Sequence, residues 1–190
     1  MNDVEITYDT AKRNPEMIGD VELVWKGTRL KELKTPDNEY VYRYNHQGLR
    51  VCKVLSNNKH IDYFYENNKL LKEEVVEEGV ETNKRYFYYD KNNQLYAIRY
   101  NDEMYYYIRN IFGNILGLID KNGNQVVSYE YDAWGKMISI GGSMASTLGN
   151  DNPFRYKGYY YDVETSLFWI SSRYYSPELC DLSVLMILNI

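Results

Sequence analysis

A chain of 190 residues is long enough for one domain with a buried core. Hydrophobic residues make up 44% and charged residues 26%, a globular balance that excludes wholesale disorder. The net charge of −5 supplies no basic field for nucleic acid or an anionic membrane, and no apolar run reaches the roughly 20 residues that span a bilayer.

Tyrosine is the anomaly, with 22 copies against 5 Phe and 3 Trp. A tyrosine ring packs while its hydroxyl reaches water or a partner, so this load favours strands with one wet edge or face. Residues 1–13 are polar and lack the apolar stretch of a signal peptide. Without a signal peptide or membrane span, the chain is expected in the cytoplasm unless exported within a larger protein. Cys52 and Cys180 lie far apart and read as two unrelated thiols.

In chain order, Tyr40, Tyr42 and Tyr44 alternate with Val41 and Arg43, the period of a strand with one covered face. The turn Asn45-His46-Gln47-Gly48 follows. Tyr65-Glu66-Asn67-Asn68-Lys69-Leu70 repeats the plan. Val75, Val76 and Val80 bracket a hairpin tip at Glu77-Glu78-Gly79. Tyr86 and Tyr88 oppose Phe87 and Tyr89, a strand expected to be covered on both sides, and Asp90-Lys91-Asn92-Asn93 turns the chain again. Arg109-Asn110-Ile111-Phe112-Gly113-Asn114 is a copy without the Tyr, and Ile119-Asp120-Lys121-Asn122-Gly123-Asn124 is an extra turn. Val127, Tyr129 and Tyr131 share a face opposite Ser128 and Glu130, and lead into Asp132-Ala133-Trp134-Gly135-Lys136.

These copies start at 44, 65, 89, 109/110 and 131, a period near 21 residues that signals repeat architecture. Each reads as strand, tight turn, strand. Asp or Asn at the turn start accepts backbone N–H groups two or three residues on, and Gly or Asn three residues later takes the left-handed conformation. No sustained 3.6-residue period exists. One or two short helical turns are expected, near residues 143–148 and 177–179. The fold class is therefore all-β: a meander of antiparallel hairpins wound into a curved, spiralling sheet.

The strings Tyr131-Asp132-Ala133-Trp134-Gly135-Lys136, Asn152-Pro153-Phe154-Arg155-Tyr156-Lys157-Gly158-Tyr159-Tyr160-Tyr161-Asp162, Glu164-Thr165 and Ser172-Arg173-Tyr174-Tyr175-Ser176-Pro177-Glu178 resemble the Rhs repeat-associated core of YD-repeat proteins. The resemblance runs in order over residues 105–179, and weaker units extend back to about Tyr8-Asp9. It implies three segments: YD hairpins over 1–104, the core over 105–180, and a divergent apolar tail over 181–190. It marks Tyr44, Asn45, Gly48, Tyr89, Asp90, Tyr131, Asp132, Trp134, Gly135, Pro153, Arg155, Tyr156, Gly158, Tyr161, Asp162, Arg173, Tyr174, Tyr175 and Pro177 as structural motif residues.

Proteins of this kind are large bacterial secreted or surface toxins, or teneurin-like relatives. The resemblance implies a hollow β-shell, a core that helps plug it, and a following toxin released by aspartate-based self-cleavage. The expected partners are other YD-repeat segments of the parent shell, a second copy through open strand edges, and the toxin cargo of an intact parent. This sequence departs from the pattern at Ser166 and Cys180, where relatives carry Gly, and over 181–190. It is therefore expected to be a fragment or orphan cassette whose self-cleavage segment and toxin lie beyond its end.

Sharper chemistry finds little support. Glu73, Glu74, Glu77, Glu78, Asp132 and Asp162 read as solvated turn and edge carboxylates, not a hydrolytic pair. His46, Cys52 and His60 match no familiar zinc spacing, and Cys180 has no evident base. Arg173 is expected to be part-buried among aromatics, and the tail has the composition of an aggregation-prone segment. No cofactor and no metal are expected. The expected function is a non-catalytic shell segment. The alternatives are a surface carbohydrate-binding module using Trp25, Trp134, Trp169 and the tyrosine faces, and a degenerate fragment without present function.

Overall fold

The computed structural model describes residues 5–10, 14–55, 58–170 and 173–178. Fourteen strands follow one another in a single antiparallel order, each beside its sequence neighbour. They are β1 (Ile6–Tyr8), β2 (Pro15–Ile18), β3 (Val21–Lys26), β4 (Arg29–Lys34), β5 (Glu39–Tyr44), β6 (Arg50–Val54), β7 (Lys59–Glu66), β8 (Lys69–Glu77), β9 (Val80–Tyr89), β10 (Leu95–Tyr100), β11 (Glu103–Arg109), β12 (Ile115–Ile119), β13 (Gln125–Tyr131) and β14 (Met137–Gly141). The short strands β15 (Tyr160–Asp162), β16 (Leu167–Ile170) and β17 (Arg173–Tyr175) follow. The all-β meander read from the sequence is the observed fold.

The described residues divide into two compact units. The first holds residues 5–84 and 173–175. Its core face carries Leu23, Leu30, Leu33, Tyr40, Tyr42, Ile61 and Tyr63, all buried. Register places Tyr42, Lys53, Ile61 and Val75 in one row across β5 to β8, so a lysine lies in the middle of a buried apolar row. Arg50 is fully buried, with its guanidinium 5.5 Å from the Tyr42 ring centre and 4.9 Å from that of Tyr63. Such stacking stabilises a desolvated cation by about 2 kcal/mol. Glu73, directly opposite Tyr63, is also fully buried. Tyr174 of β17 packs on this unit, edge-on to Trp25 at 6.5 Å and tilted against Tyr42 at 6.1 Å.

The second unit holds residues 85–170 and 176–178. Its core gathers Phe87, Ile98, Ile115, Leu118, Val127, Tyr129 and Leu148. Leu148 comes from a π turn at Ala145–Gly149, which matches the helical turn expected there. A second turn, a 3₁₀ segment at Tyr156–Gly158, carries no periodic signal and was not anticipated. Residues 177 and 178 form a turn, and residue 179 lies outside the described residues. β15 and β16 form a hairpin whose loop residue Ser166 adopts φ +56°, the left-handed region. Glycine, which the resemblance implies for this position, enters that region without the steric penalty a serine carries.

Two expectations change. The strand at residues 86–89 is covered on one side only: Phe87 is buried, while Tyr86 and Tyr88 stay half-exposed, with Arg99 lying 4.1 Å over the Tyr86 ring. And not every carboxylate is solvated. Glu73 and Asp162 have no exposed surface, because register carries Glu73 onto the core face and Asp162 closes the β15–β16 hairpin.

Candidate functional site

The repeated motif is a turn with a fixed hydrogen-bond pattern. In the Asp132 turn, the Asp132 N–H donates to the Lys136 carbonyl (3.0 Å) and the Gly135 N–H to the Asp132 carbonyl (3.2 Å). The carboxylate accepts the N–H groups of Trp134 (2.8 Å) and Lys136 (2.9 Å). Asp90, Asn110 and Asp120 make the same four bonds. Asn45 makes three of them, its side chain accepting from Leu49. The side-chain acceptor thus takes donors two and four residues on, where the sequence suggested two or three. The fourth position is left-handed throughout, at Gly48, Asn93, Gly113, Gly123 and Gly135. The Tyr65 copy is different. It is a two-residue turn with Asn67 and Asn68 both left-handed, as a tight hairpin demands.

Past each turn the returning strand carries one extra residue. Val51, Tyr96, Leu116, Val126 and Ile138 are each skipped in the register, six positions after the Asp or Asn. Lys31 and Leu71 are skipped in the same way after their shorter turns. These are β-bulges, and pairing with the following strand starts only beyond them, at Glu32, Cys52 and Gly117. The residue before the bulge is therefore left with a carbonyl outside that ladder.

The motif tyrosine caps that carbonyl. Tyr44 donates its hydroxyl to the Leu30 carbonyl (2.9 Å), Tyr65 to Arg50 (2.8 Å), and Tyr131 to Ile115 (2.8 Å). Leu30, Arg50 and Ile115 are all fully buried. The buried carbonyl needs a donor and the core needs a ring, and tyrosine supplies both. In the copy where Arg109 replaces the tyrosine, the guanidinium donates instead to Gln94 Oε1 (2.6 Å). Burial raises the Tyr131 phenol above its ordinary pKa, so it is a dependable donor at neutral pH.

A buried polar layer follows in the second unit. Arg155 donates to three main-chain carbonyls, of Asn150 (3.0 Å), Asn152 (3.3 Å) and Gly149 (3.5 Å), and lies 4.6 Å over the Tyr161 ring. Asn152 accepts from the Tyr107 hydroxyl (2.7 Å) and donates to the Phe154 carbonyl (2.7 Å). The Tyr129 hydroxyl donates to the Gly149 carbonyl (2.8 Å), and burial pushes its phenol up to about 12. Tyr100 donates to Asp151 (2.7 Å), and Arg85 donates to the Asp151 carbonyl. The Arg155 guanidinium is spent on backbone carbonyls and ring faces, and the Tyr129 phenol stays neutral. The layer locks the 149–162 segment in place.

The motif residues fall in separate places. In the first unit, Tyr44, Asn45 and Gly48 form one turn, and the Tyr174 hydroxyl sits 3.3 Å from that of Tyr44. Tyr175 is buried. In the second unit, Tyr89 and Asp90 open one turn, and Tyr131, Asp132, Trp134 and Gly135 form another. The Tyr156 ring lies where a Gly135 side chain would stand, and its hydroxyl donates to the Ala133 carbonyl (3.1 Å). Pro153, Arg155 and Asp162 are buried, the Tyr161 ring packs tilted against Phe168 at 4.8 Å, Gly158 is left-handed, and Pro177 is buried. Arg173 lies in β17, but its side chain, like Cys180 and residues 181–190, is outside the described residues. Sequence reasoning missed Arg50, Lys53, Asn152 and the bulge residues. Only Asn152, which precedes Pro153, carries a local signal.

Groups that invite sharper chemistry are placed apart or quenched. His46 is exposed in its turn, and His60 lies 3.4 Å from Asp62 on β7. The Cys52 thiol is pushed up to about 11 by burial and by Asp62, so it is not a thiolate at neutral pH. No three His, Cys, Asp or Glu side chains among the described residues converge on a metal site. No helix among them is long and apolar enough to cross a membrane.

Comparison with known proteins agrees with this geometry. The chain is 33% identical over 182 residues to the tRNA nuclease WapA of Bacillus subtilis strain 168, and 31% identical over 182 residues to the tRNA3(Ser)-specific nuclease WapA of Bacillus spizizenii. Each match covers 94% of this chain but only 8% of the relative. Among solved structures, the Photorhabdus luminescens Tc holotoxin pore matches with a TM-score of 0.72 at 19% identity, over 90% of this chain and 9% of that one. A crystal structure of TcdB2-TccC3-TEV matches at 0.70 and 18%, over 91% and 9%. At such identity these two show a shared fold. The Teneurin YD-shell family matches residues 26–181, and with the repeated turn, bulge and tyrosine cap this places the chain in that family.

Proposed function

We propose that this chain is a non-catalytic wall segment of a YD-repeat shell that encloses or presents a toxin in its parent protein. The tyrosine cap carries the reading. At Tyr44, Tyr65 and Tyr131 it fastens a hairpin to the one before it, a device that suits a wall extended by repetition. Buried Arg155 and Asn152 bond to the chain's own backbone rather than converging on a cleft. The relatives named as tRNA nucleases support the toxin half, and the reading assigns their activity to the rest of their length. The partners are then further YD-repeat segments and an enclosed cargo, and the chain works as part of a larger exported or surface protein.

The test is a chimera. This chain replaces the matching 182-residue segment of the Bacillus subtilis nuclease, and chimera and parent are treated with protease. Equal protection of the nuclease portion in both is expected. A folded chimera that loses that portion as fast as the isolated nuclease would sink the wall reading. This chain alone should leave tRNA intact, and cleavage would overturn the non-catalytic half.

A carbohydrate-binding module is the second reading, and one observation favours it. Phe112 and Trp134 occupy the same position of neighbouring turns and are 73% and 54% exposed, although the turn bonds need only their backbone. Trp25 and Trp169 do not join them: Trp25 donates to the Pro15 carbonyl (2.7 Å) and Trp169 is buried. Glycan binding that disappears in Trp134→Ala would promote this reading over the wall.

A further inference from the structure

We propose that the free edge of β14 pairs with the same edge of a second copy of this chain, across a two-fold axis. Strand β14 is last in the sheet order, and among the described residues its only strand neighbour is β13. Its outer side therefore presents a row of backbone donors and acceptors, a template for another strand. Edge strands are usually blunted by charge, by proline, by brevity or by a bulge. The sequence Met137-Ile138-Ser139-Ile140-Gly141 has no charge and no proline. Its bulge lies at the start, at Ile138, and Ser139, Ile140 and Gly141 keep regular register with Glu130, Tyr129 and Ser128. Ile138 is 65% exposed, and exposed Trp134 stands in the turn just before it.

Charge selects the occupant. Two-fold antiparallel pairing sets a strand against itself, so a charged edge meets its own like charges and is repelled. An uncharged edge escapes this penalty. The only other end of the sheet order is β1, a strand of three residues. An interface of one short strand and two apolar side chains is small, so the pairing is reversible and concentration-dependent. The inference stands on the edge alone and not on the shell reading, so the failure of one leaves the other intact.

The experiment is sedimentation of the full chain across a wide concentration series, beside Ile138→Lys and Ile138→Thr. The expected result is a mass rising from 22.6 kDa toward twice that value in the wild type and in Ile138→Thr, while Ile138→Lys stays at one chain throughout. Amide exchange at residues 139–141 of the wild type should slow as concentration rises, a readout that needs no variant. A wild type that stays at one chain, equal association in Ile138→Lys, growth past two copies, or exchange at 139–141 indifferent to concentration would each overturn the proposal.

Discussion

Replacing Tyr131 by phenylalanine removes one oxygen and leaves the ring against Tyr129 and Tyr156, at 6.3 and 5.9 Å. The oxygen caps the Ile115 carbonyl at 2.8 Å, and Ile115 is fully buried beside the Leu116 bulge. In the variant that carbonyl has neither its tyrosine donor nor a place in the β12–β13 ladder, which begins at Gly117. An orphaned buried acceptor costs about 1–3 kcal/mol. At an m-value of about 2 kcal/mol/M, a loss of about 2 kcal/mol lowers the urea midpoint by about 1 M, with m unchanged. Tyr44→Phe and Tyr65→Phe should move the midpoint the same way. Tyr96→Phe is the control, since Tyr96 is an exposed bulge residue and should stay within about 0.5 kcal/mol of the wild type. Urea unfolding followed by circular dichroism reads all four. If Tyr131→Phe unfolds at the midpoint of Tyr96→Phe, the cap contributes nothing and the account of the repeat fails.

The remaining glycine, arginine and tyrosine positions are equally open to measurement. Gly123→Ala meets open space and should cost only the left-handed penalty, about 1–2 kcal/mol, whereas Gly135→Ala must also displace the Tyr156 ring and should cost more by the same urea assay. Ser166→Gly should stabilise by about 0.5–1 kcal/mol, because it relieves a left-handed serine at some cost in unfolded-state entropy. Arg155→Lys cannot reproduce the planar fork that holds three carbonyls, and should cost about 2 kcal/mol or more, read as a fall in melting temperature. Tyr129 titrates at about 12 when folded. The fold favours its neutral form, so this contribution is complete below the unfolded pKa of about 10 and falls by about 3 kcal/mol as pH rises through the folded value. Stability measured between these limits should slope less steeply in Tyr129→Phe.

The turns were legible because their chemistry is local. Asp132 and Gly135 sit three residues apart for a reason contained within the turn, and the same holds for Asn45 and Gly48. Strand alternation at Tyr40, Tyr42 and Tyr44 was legible for the same cause. The bulge was not, because Val51, Tyr96, Leu116, Val126 and Ile138 share no chemistry: the position needs an extra backbone unit and makes no demand on the side chain. The tyrosine cap was hidden behind it, since the span from Tyr65 to Arg50 has meaning only once the register is known. Buried Glu73 deceived the reading because the stretch Glu73-Glu74-Val75-Val76-Glu77-Glu78 looks like a charged hairpin tip. Its first residue, however, lies five positions before the turn at Glu78, on the core face of a long strand.

The caps all point the same way along the chain: Tyr44 back to Leu30, Tyr65 back to Arg50, Tyr131 back to Ile115. In these three cases the hairpin does not seal its own buried carbonyl, and the seal arrives with the next one. During synthesis, which releases the N-terminal part first, a hairpin capped in this way stays unfinished until the next one is made. Growth and loss by whole repeats keep such a seal matched to its gap, while a cut or insertion that removes the tyrosine strands a carbonyl in the preceding repeat. The wall thus records a direction of assembly in its hydrogen bonds, much as overlapping roof tiles show which row was laid last.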